Sequence, residues 1–525
     1  MYFNQRLKWR WPIVSILITF FMMITVACTQ NTQCDEGQTQ NSQGTCVPET
    51  VDEQESPLTP KLGVESSEEE SFNTRQYDWE PERFSWGQRS LLSKQDDPFM
   101  KDGTDFFKQR DFESARKKFL KSAQNSSRAP EAIIYKNNSI ARLQKAVPFT
   151  IAVPIPIDDN FRNAEEILRG VAQAQEKFNS SPKSDLSRLL EVVIVDDGLL
   201  DATPEEKESV VKEVAGQISA DKSILGVVGH NSSGSTGAAL PQYERANLAV
   251  VSPTSTSIYL ESDVFFRVAP SDAVAAKKLA CYIKKKAGKE VGVVIFFDSG
   301  SDYSNSFKEK FTFSFTQGEA GKVSGKDMLT SDFDAFKEVY DSAHKQKDSF
   351  ALLVPSTKSS PIAIDIAREN QALDPSRKLQ LVGGDSLYGK QKLDSGAQSL
   401  NGLVLPVAWF SDVESSKGFY EEGFQQWGGG TVNWRTAMSH DATAALIKVF
   451  SENSTSREDV VNSLKSVKLS SDETSGTELR FNSNRERPLT PVLIRVEANE
   501  ALASRNEFKY KLIDEEYSGQ FCTSN

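Results

Sequence analysis

The side chains best suited to hold a ligand are two clusters of small hydroxyl residues. The first cluster, His230-Asn231-Ser232-Ser233-Gly234-Ser235-Thr236, follows the apolar run Leu225 to Gly229. The second, Thr254-Ser255-Thr256, follows Leu248 to Val251 and Ser252-Pro253. Hydroxyls beside a helix amino terminus suit an anion such as a carboxylate, because free N–H groups and the positive dipole end stand there. One such cluster reads equally as helix capping and turn filling; two on adjacent strands point to a site. Asp385, in Gly383-Gly384-Asp385-Ser386, reads by itself as a turn residue after a strand. Tyr303, after Asp298-Ser299-Gly300, reads by itself as a packing residue at a helix start. Phe161 lies in an early loop and reads most simply as core. His230 reads as a hydrogen-bonding turn residue. His440 and Asp441 are neighbours on one helix, face different directions and read as structural.

Catalysis finds little support. No nucleophile with a positioned base is evident, and CxxC, HExxH and P-loop patterns are absent. Five Cys and three His argue against metal or redox chemistry, so no cofactor and no enzyme activity are expected. A net charge of −12, with a pI near 5.1, argues against a nucleic-acid partner.

These residues must be positioned by an alternation of short apolar runs and amphipathic helices. Strands are expected around residues 149–153, 192–195, 225–228, 248–251, 291–297, 351–354, 379–382 and 403–407. Helical patterns over 164–178, 272–286 and 334–344 lie between them, and another begins at Thr236, with Pro241 about one turn inside, where a missing donor costs least. Strands alternating with helices predict parallel sheets covered on both faces, in two lobes because the segment exceeds one sheet's core.

The amino terminus reads differently. Arg6, Lys8 and Arg10 precede an apolar run from Ile13 to Ala27, short for a membrane span and suited to a signal peptide. It ends Thr25-Val26-Ala27-Cys28, which resembles the bacterial lipoprotein box, with Thr25 in place of the usual leucine; the resemblance implies a lipid on Cys28 and a membrane anchor. Residues 1–28 are thus expected to be the signal and anchor, and 29–98 a disordered tether poor in aliphatics, where Cys34 and Cys46 could pair. Residues 99–146 form a helical hairpin, with Gly103, Phe106, Ala115, Phe119 and Ala123 at helical spacing and Pro130 beyond. It resembles a single tetratricopeptide repeat, in which Gly103 and Ala115 allow close helix approach. One repeat cannot bury its own face, so it packs on its neighbour or on a protein partner.

Over 147–525 the order of several segments is specific. Ile167-Leu168-Arg169-Gly170, Val195-Asp196-Asp197-Gly198, Val228-Gly229-His230, Val251-Ser252-Pro253 and Val264 to Asp272 are followed by Ser439-His440-Asp441-Ala442-Thr443 and Gly476 to Asn482. In this register the chain resembles the type 1 periplasmic solute-binding proteins, the branched-chain amino acid and amide receptors of ABC transporters. The resemblance implies an α/β fold of two lobes with parallel sheets flanked by helices, preceded here by the small all-α hairpin. Lobe one is expected over 147–267 and 401–468, with a ligand in the cleft between lobes. It implies a small-molecule ligand, amino acid or amide, an ABC permease as partner, and a place on the periplasmic side of the bacterial envelope. By position, Ser233, Thr254 and Thr256 match carboxylate and ammonium contacts of lobe one, and Ser232 and Ser255 beside them are further ligand-binding candidates. Asp385 matches the acid for the ligand ammonium, Tyr303 an aromatic of lobe two, and Phe161 a residue of the first cleft loop. Two departures bear on the ligand: Pro355-Ser356-Thr357 replaces an aromatic, and Asp158-Asp159-Asn160 replaces a Gly-rich loop. Whether Cys281 and Cys522 pair is open. The anchor, tether and hairpin together also suit a second reading, an interaction or sensing lipoprotein that regulates an envelope enzyme.

Overall fold

In the computed structural model of the protein, residues 82–513 are described except 93–96, 126–128, 182–187, 288–290, 318–320, 428–431, 453 and 500–506; the backbone of 38–40 and 46–48 is described as well. Cys28, Cys34 and Cys522 lie outside these residues. Of the first 69 residues, only β1 (Gln38–Gln40) and β2 (Cys46–Pro48) are described, an antiparallel pair.

The folded body starts earlier than its composition suggests. β3 (Phe84–Ser85) pairs with a sheet edge, and Phe84, Trp86 and Leu92 are buried, so the expected tether boundary at 98 is too late. α1 (Pro98–Lys108) and α2 (Phe112–Asn125) form the hairpin, and a Cβ on Gly103 would come within 2.6 Å of the Phe119 ring, so that glycine is needed for the approach. α3 (Pro130–Leu143) joins this unit to the body. Its Asn138 side chain donates to Val192 O at 2.8 Å and Trp86 O at 2.7 Å, Arg142 is paired with the buried Glu191, and Glu131 accepts from Leu91 N at 2.5 Å and Ser90 Oγ at 2.8 Å.

Lobe one continues with β4 (Phe149–Ile155), α4 (Phe161–Asn179), β5 (Leu190–Asp196), α5 (Pro204–Ala220), β6 (Ile224–Val228), α6 (Ser233–Arg245), β7 (Ala249–Ser252) and β8 (Phe265–Arg267). Its sheet runs β3-β5-β4-β6-β7-β8, parallel except for β3. β4 to β7 are buried along their whole lengths, which is why they read as unbroken apolar runs.

After β8 the chain crosses to lobe two. There it forms α7 (Asp272–Ala287), β9 (Gly292–Phe297), α8 (Asp302–Thr316), β10 (Lys322–Asp327), α9 (Ala335–Asp341), β11 (Phe350–Val354), α10 (Ser360–Ala372), β12 (Gln380–Gly383), α11 (Lys390–Gly396) and β13 (Val404–Val407). It returns with α12 (Lys417–Trp427), α13 (Trp434–Ser451), α14 (Arg457–Leu464), β14 (Lys468–Leu469) and β15 (Leu479–Arg480), then crosses again to β16 (Val492–Ala498) and β17 (Phe508–Leu512). The second sheet runs β10-β9-β11-β12-β13-β16-β17.

The expected lobe boundary needs correction. β13 belongs to the second sheet, where it pairs with β12 and β16, so the return to lobe one follows Val407 rather than starting at 401. The return also runs past 468: Asp441 on α13 accepts from Ser475 N at 2.7 Å and pairs with Arg487 at 2.8 Å. Arg267 holds the crossing, with Nη1 on Glu486 at 2.7 Å and Nη2 donating to Ser257 O at 2.6 Å. Helix α6 begins at Ser233 rather than Thr236, so Pro241 lies in its interior, where one backbone donor is missing although the helix continues to Arg245. Cys281, on α7, is disulfide-bonded.

Candidate functional site

The loops at the carboxyl ends of β6 and β7 face lobe two, as the edge of an open α/β sheet does at a ligand site. Most of the hydroxyls expected to touch a ligand hold these loops to each other instead. Ser232 caps α6, accepting from Ser235 N at 3.0 Å, and is exposed. Ser233, buried, accepts from Ser257 N at 3.2 Å. Thr254 donates to Asn231 O at 2.9 Å and His230 O at 3.2 Å. Ser255 shares a 2.6 Å hydrogen bond with Thr236 and reaches His230 O at 3.2 Å. Of the two clusters, only Thr256 stands beside a lobe-two acid, Asp272.

His230 is fully buried between Asp197 (Nδ1 to Oδ2, 2.5 Å) and Tyr243 (Nε2 to Oη, 2.9 Å), a hydrogen-bonding residue as its position suggested. His440 and Asp441 are also structural, but their side chains do meet, Nδ1 to Oδ1 at 3.0 Å, against the expectation that they diverge. The same carboxylate takes Ser475 and Arg487, and burial of all three closes the site to any reactant.

Across the cleft, lobe two presents acids. Asp272 opens α7 directly after the crossing and is 1% exposed. Burial pushes its carboxyl up to about 7; the nearby charge of Asp385 adds to the rise, and the hydroxyls of Ser306 and Thr256 work against it. Asp385, at the end of β12, is likewise raised by burial, offset by the Tyr303 hydroxyl and by Arg435 of lobe one. Burial, with the charges of Asp385 and Asp272, holds the Tyr303 phenol well above its ordinary range. A Cβ on Gly384 would fall 2.0 Å from Tyr303 Oη, so the glycine before Asp385 is what admits the tyrosine. The buried atoms Asp272 Oδ2, Tyr303 Oη and Ser386 Oγ have no partner in hydrogen-bonding geometry among the described residues, although the Tyr303 hydroxyl lies near Asp385 and Ser386. Buried polar atoms are nearly always paired, so this group is suited to a ligand.

The lobes meet along one side of this group. Ile258 N donates to Ser306 Oγ at 3.0 Å, and Tyr259 Oη to Glu309 Oε2 at 2.9 Å. Phe161 starts α4, partly buried against the core. The two departures in the loops are internal to each lobe: Asp159 pairs with Lys207 at 2.8 Å, and Ser356 donates to Asp298 at 2.5 Å. Asp272 escaped the sequence reading because an aspartate after Ser271 at a helix start looks like ordinary capping; its place right after the crossing strand was the available signal.

Comparison with known proteins agrees with this architecture. Residues 166–497 match the family model described as periplasmic binding protein. A leucine-binding protein of Thermotoga maritima superposes with a TM-score of 0.58 at 17% identity, covering 70% of this chain and 99% of that one. A branched-chain amino acid substrate-binding protein of Streptococcus pneumoniae, in complex with isoleucine, gives 0.57 at 16% identity, covering 70% and 99%. A solute-binding protein of Rhodopseudomonas palustris, in complex with 3,4-dihydroxybenzoic acid, gives 0.58 at 13% identity, covering 70% and 96%. At such identities the likeness carries the fold alone. No curated protein matches the sequence. With the family model spanning well over half of its residues and both lobes in place, the chain belongs to the periplasmic binding protein family, with its two-lobed type 1 fold.

Proposed function

We propose that the protein is an extracytoplasmic receptor that closes on a small ligand bearing an ammonium group, an amino acid or a relative of one, and presents it to an ABC permease. One observation carries this reading: Asp272 is buried and Asp385 partly buried, the charge of Asp385 raises the affinity of Asp272 for a proton, and Asp272 Oδ2 has no partner among the described residues. An ammonium between them supplies the missing positive charge and donors. The solute-binding relatives, two of which carry leucine or isoleucine in their names or complexes, support a small organic ligand. A lipid on Cys28 would tether the receptor to a membrane. Among the described residues no helix is long and apolar enough to cross one.

The test is a thermal-shift panel of the proteinogenic L-amino acids on the full-length protein. A binder at a hundred times its dissociation constant adds about 2.7 kcal/mol, a visible shift. Asp385→Asn is expected to abolish it while leaving the ligand-free protein folded. A shift that survives the substitution would sink this assignment. The second reading, an interaction or sensing lipoprotein that regulates an envelope enzyme, draws on a different observation. Ser233, Thr254 and Ser255 are satisfied within lobe one, and α1–α3 are fastened to that lobe, offering a protein a rigid surface. A panel with no shift would favour it.

A further inference from the structure

Sequence position assigns the ligand carboxylate to the hydroxyl loops of lobe one, yet Ser255 bonds to Thr236 and to His230 O, Ser233 accepts from Ser257 N, and Thr254 donates to the carbonyls of His230 and Asn231. A different group of donors faces the same cleft. Arg435, in the first turn of α13, is 6% exposed, lies over the Trp434 ring at 4.6 Å and pairs with Glu166 Oε2 at 3.2 Å. Its charge reaches four groups of lobe two: Asp385, Tyr388, Tyr510 and Lys392. Lys392, on α11, is partly buried and touches Ser360 Oγ, and no described carboxylate pairs with it. The indole N–H of Trp434, 2% exposed, has no hydrogen-bond partner among the described residues. Of these groups only Arg435 has an ion-pair partner among the described residues, Glu166. Opposite them, Tyr388 stacks on Tyr510 at 4.5 Å, closing the lobe-two side with aromatic rings.

We propose that Arg435 and Lys392 hold the anionic end of the ligand, so that a zwitterion lies between them and the Asp272–Asp385 pair. This rests on the receptor reading above and adds the ligand's orientation and its second charge. Like charges brought together in a partly buried place repel unless an anion joins them, and a carboxylate does so with charge-assisted hydrogen bonds from both. The same arrangement disfavours a ligand that has an ammonium and no carboxylate, because the cations then stay uncompensated.

Calorimetric titration of the full-length protein with the amino acid that binds it most tightly, and with the carboxamide of that amino acid, tests the assignment. Lys392→Met is expected to weaken the amino acid about tenfold or more, and to leave the carboxamide within about twofold. Arg435→Met is expected to act in the same direction. Because Arg435 also joins α13 to α4 through Glu166, its result counts together with an unchanged ligand-free unfolding midpoint; Lys392 has no ion pair among the described residues, and the same midpoint control applies to it. Amino-acid binding unchanged in Lys392→Met, or lost instead in Ser233→Ala, overturns this assignment while the receptor reading stands. Absence of binding by the unsubstituted protein to every amino acid overturns both.

Discussion

On lobe one, Ser233, Thr254 and Ser255 all find hydrogen-bond partners at 3.2 Å or less within their own lobe, whereas on lobe two Asp272, Tyr303 and Ser386 each keep a buried polar atom without one. The residue types alone do not predict this difference, since hydroxyls and carboxylates are equally able to meet a ligand. It follows from where each wall is placed. The lobe-one loops are successive β–α turns of one sheet, close enough to tie each other down. The lobe-two residues come from three separate elements, α7, α8 and the end of β12, and converge only across the cleft. A satisfied wall is a rigid frame, and an unsatisfied one is a surface awaiting a partner. The hydroxyl loops of lobe one and the acids of lobe two should therefore answer substitution in opposite ways, the loops by losing stability and the acids by losing binding.

The strongest way to break that comparison is to remove Arg487. It is buried with Asp441, 2.8 Å away, and also donates to Thr477 Oγ1 at 2.8 Å. Arg487→Ala leaves the carboxylate of Asp441 in the core with a reduced set of partners, and is expected to cost about 3–5 kcal/mol of stability. Urea unfolding measures this; a loss below about 1 kcal/mol would mean that lobe one's buried polar residues are not its frame.

Asp272 should behave in the opposite sense. Its carboxyl, near 3.8 when unfolded, is pushed up to about 7 when folded, so between these values the folded chain holds more proton than the unfolded one. Stability of the ligand-free protein then falls as pH rises from about 4 to about 7 and levels off above, a change of a few kcal/mol at the linkage limit. Asp272→Asn removes that component. In urea unfolding at pH 5 and pH 8, the variant should lose less stability between the two than the parent, and it should bind an ammonium ligand more weakly. Equal losses in both proteins would show that Asp272 is not held protonated by the fold. In the parent, ligand affinity should rise with pH up to about 7, because only the ionised carboxyl attracts an ammonium.

How much of this was readable beforehand depends on whether the signal was local. Strands buried on both faces, such as Val192 to Val195 within β5, announce themselves as apolar runs, and all eight expected strands are present. β10, Lys-Val-Ser-Gly-Lys-Asp at the sheet edge, has no such run, and β3 is two residues long; both were invisible. The lobe boundary at β13 was misplaced because sheet membership is decided by pairing with β12 and β16, which no local pattern encodes. Among the expected site residues, Asp385 and Tyr303 were singled out by the family resemblance, and they lie near each other and near Asp272. Ser233 and Thr254 were legible as polar loop residues, but their hydrogen-bond partners, Ser257 N and the carbonyls of His230 and Asn231, belong to tertiary structure.

Ser233 gives the finest separation of the two walls, because it is the residue that both accounts claim. If its hydroxyl serves a ligand, Ser233→Ala should lower affinity and barely touch the ligand-free protein. If it serves the frame, the substitution removes the acceptor of Ser257 N, a fully buried residue whose carbonyl already takes Arg267 at the crossing. A buried donor left without its acceptor costs about 1–3 kcal/mol. The loss should fall at the point where the β7 loop meets the hinge, so it should also loosen the 3.0 Å contact between Ile258 N and Ser306 Oγ that joins the lobes. Hydrogen exchange at the amides of Ser257 and Ile258 reads this directly: faster exchange at both, with affinity for an amino acid changed less than about threefold, is the expected result. Unaltered exchange with a tenfold loss of affinity would return Ser233 to the ligand and remove the distinction between the walls.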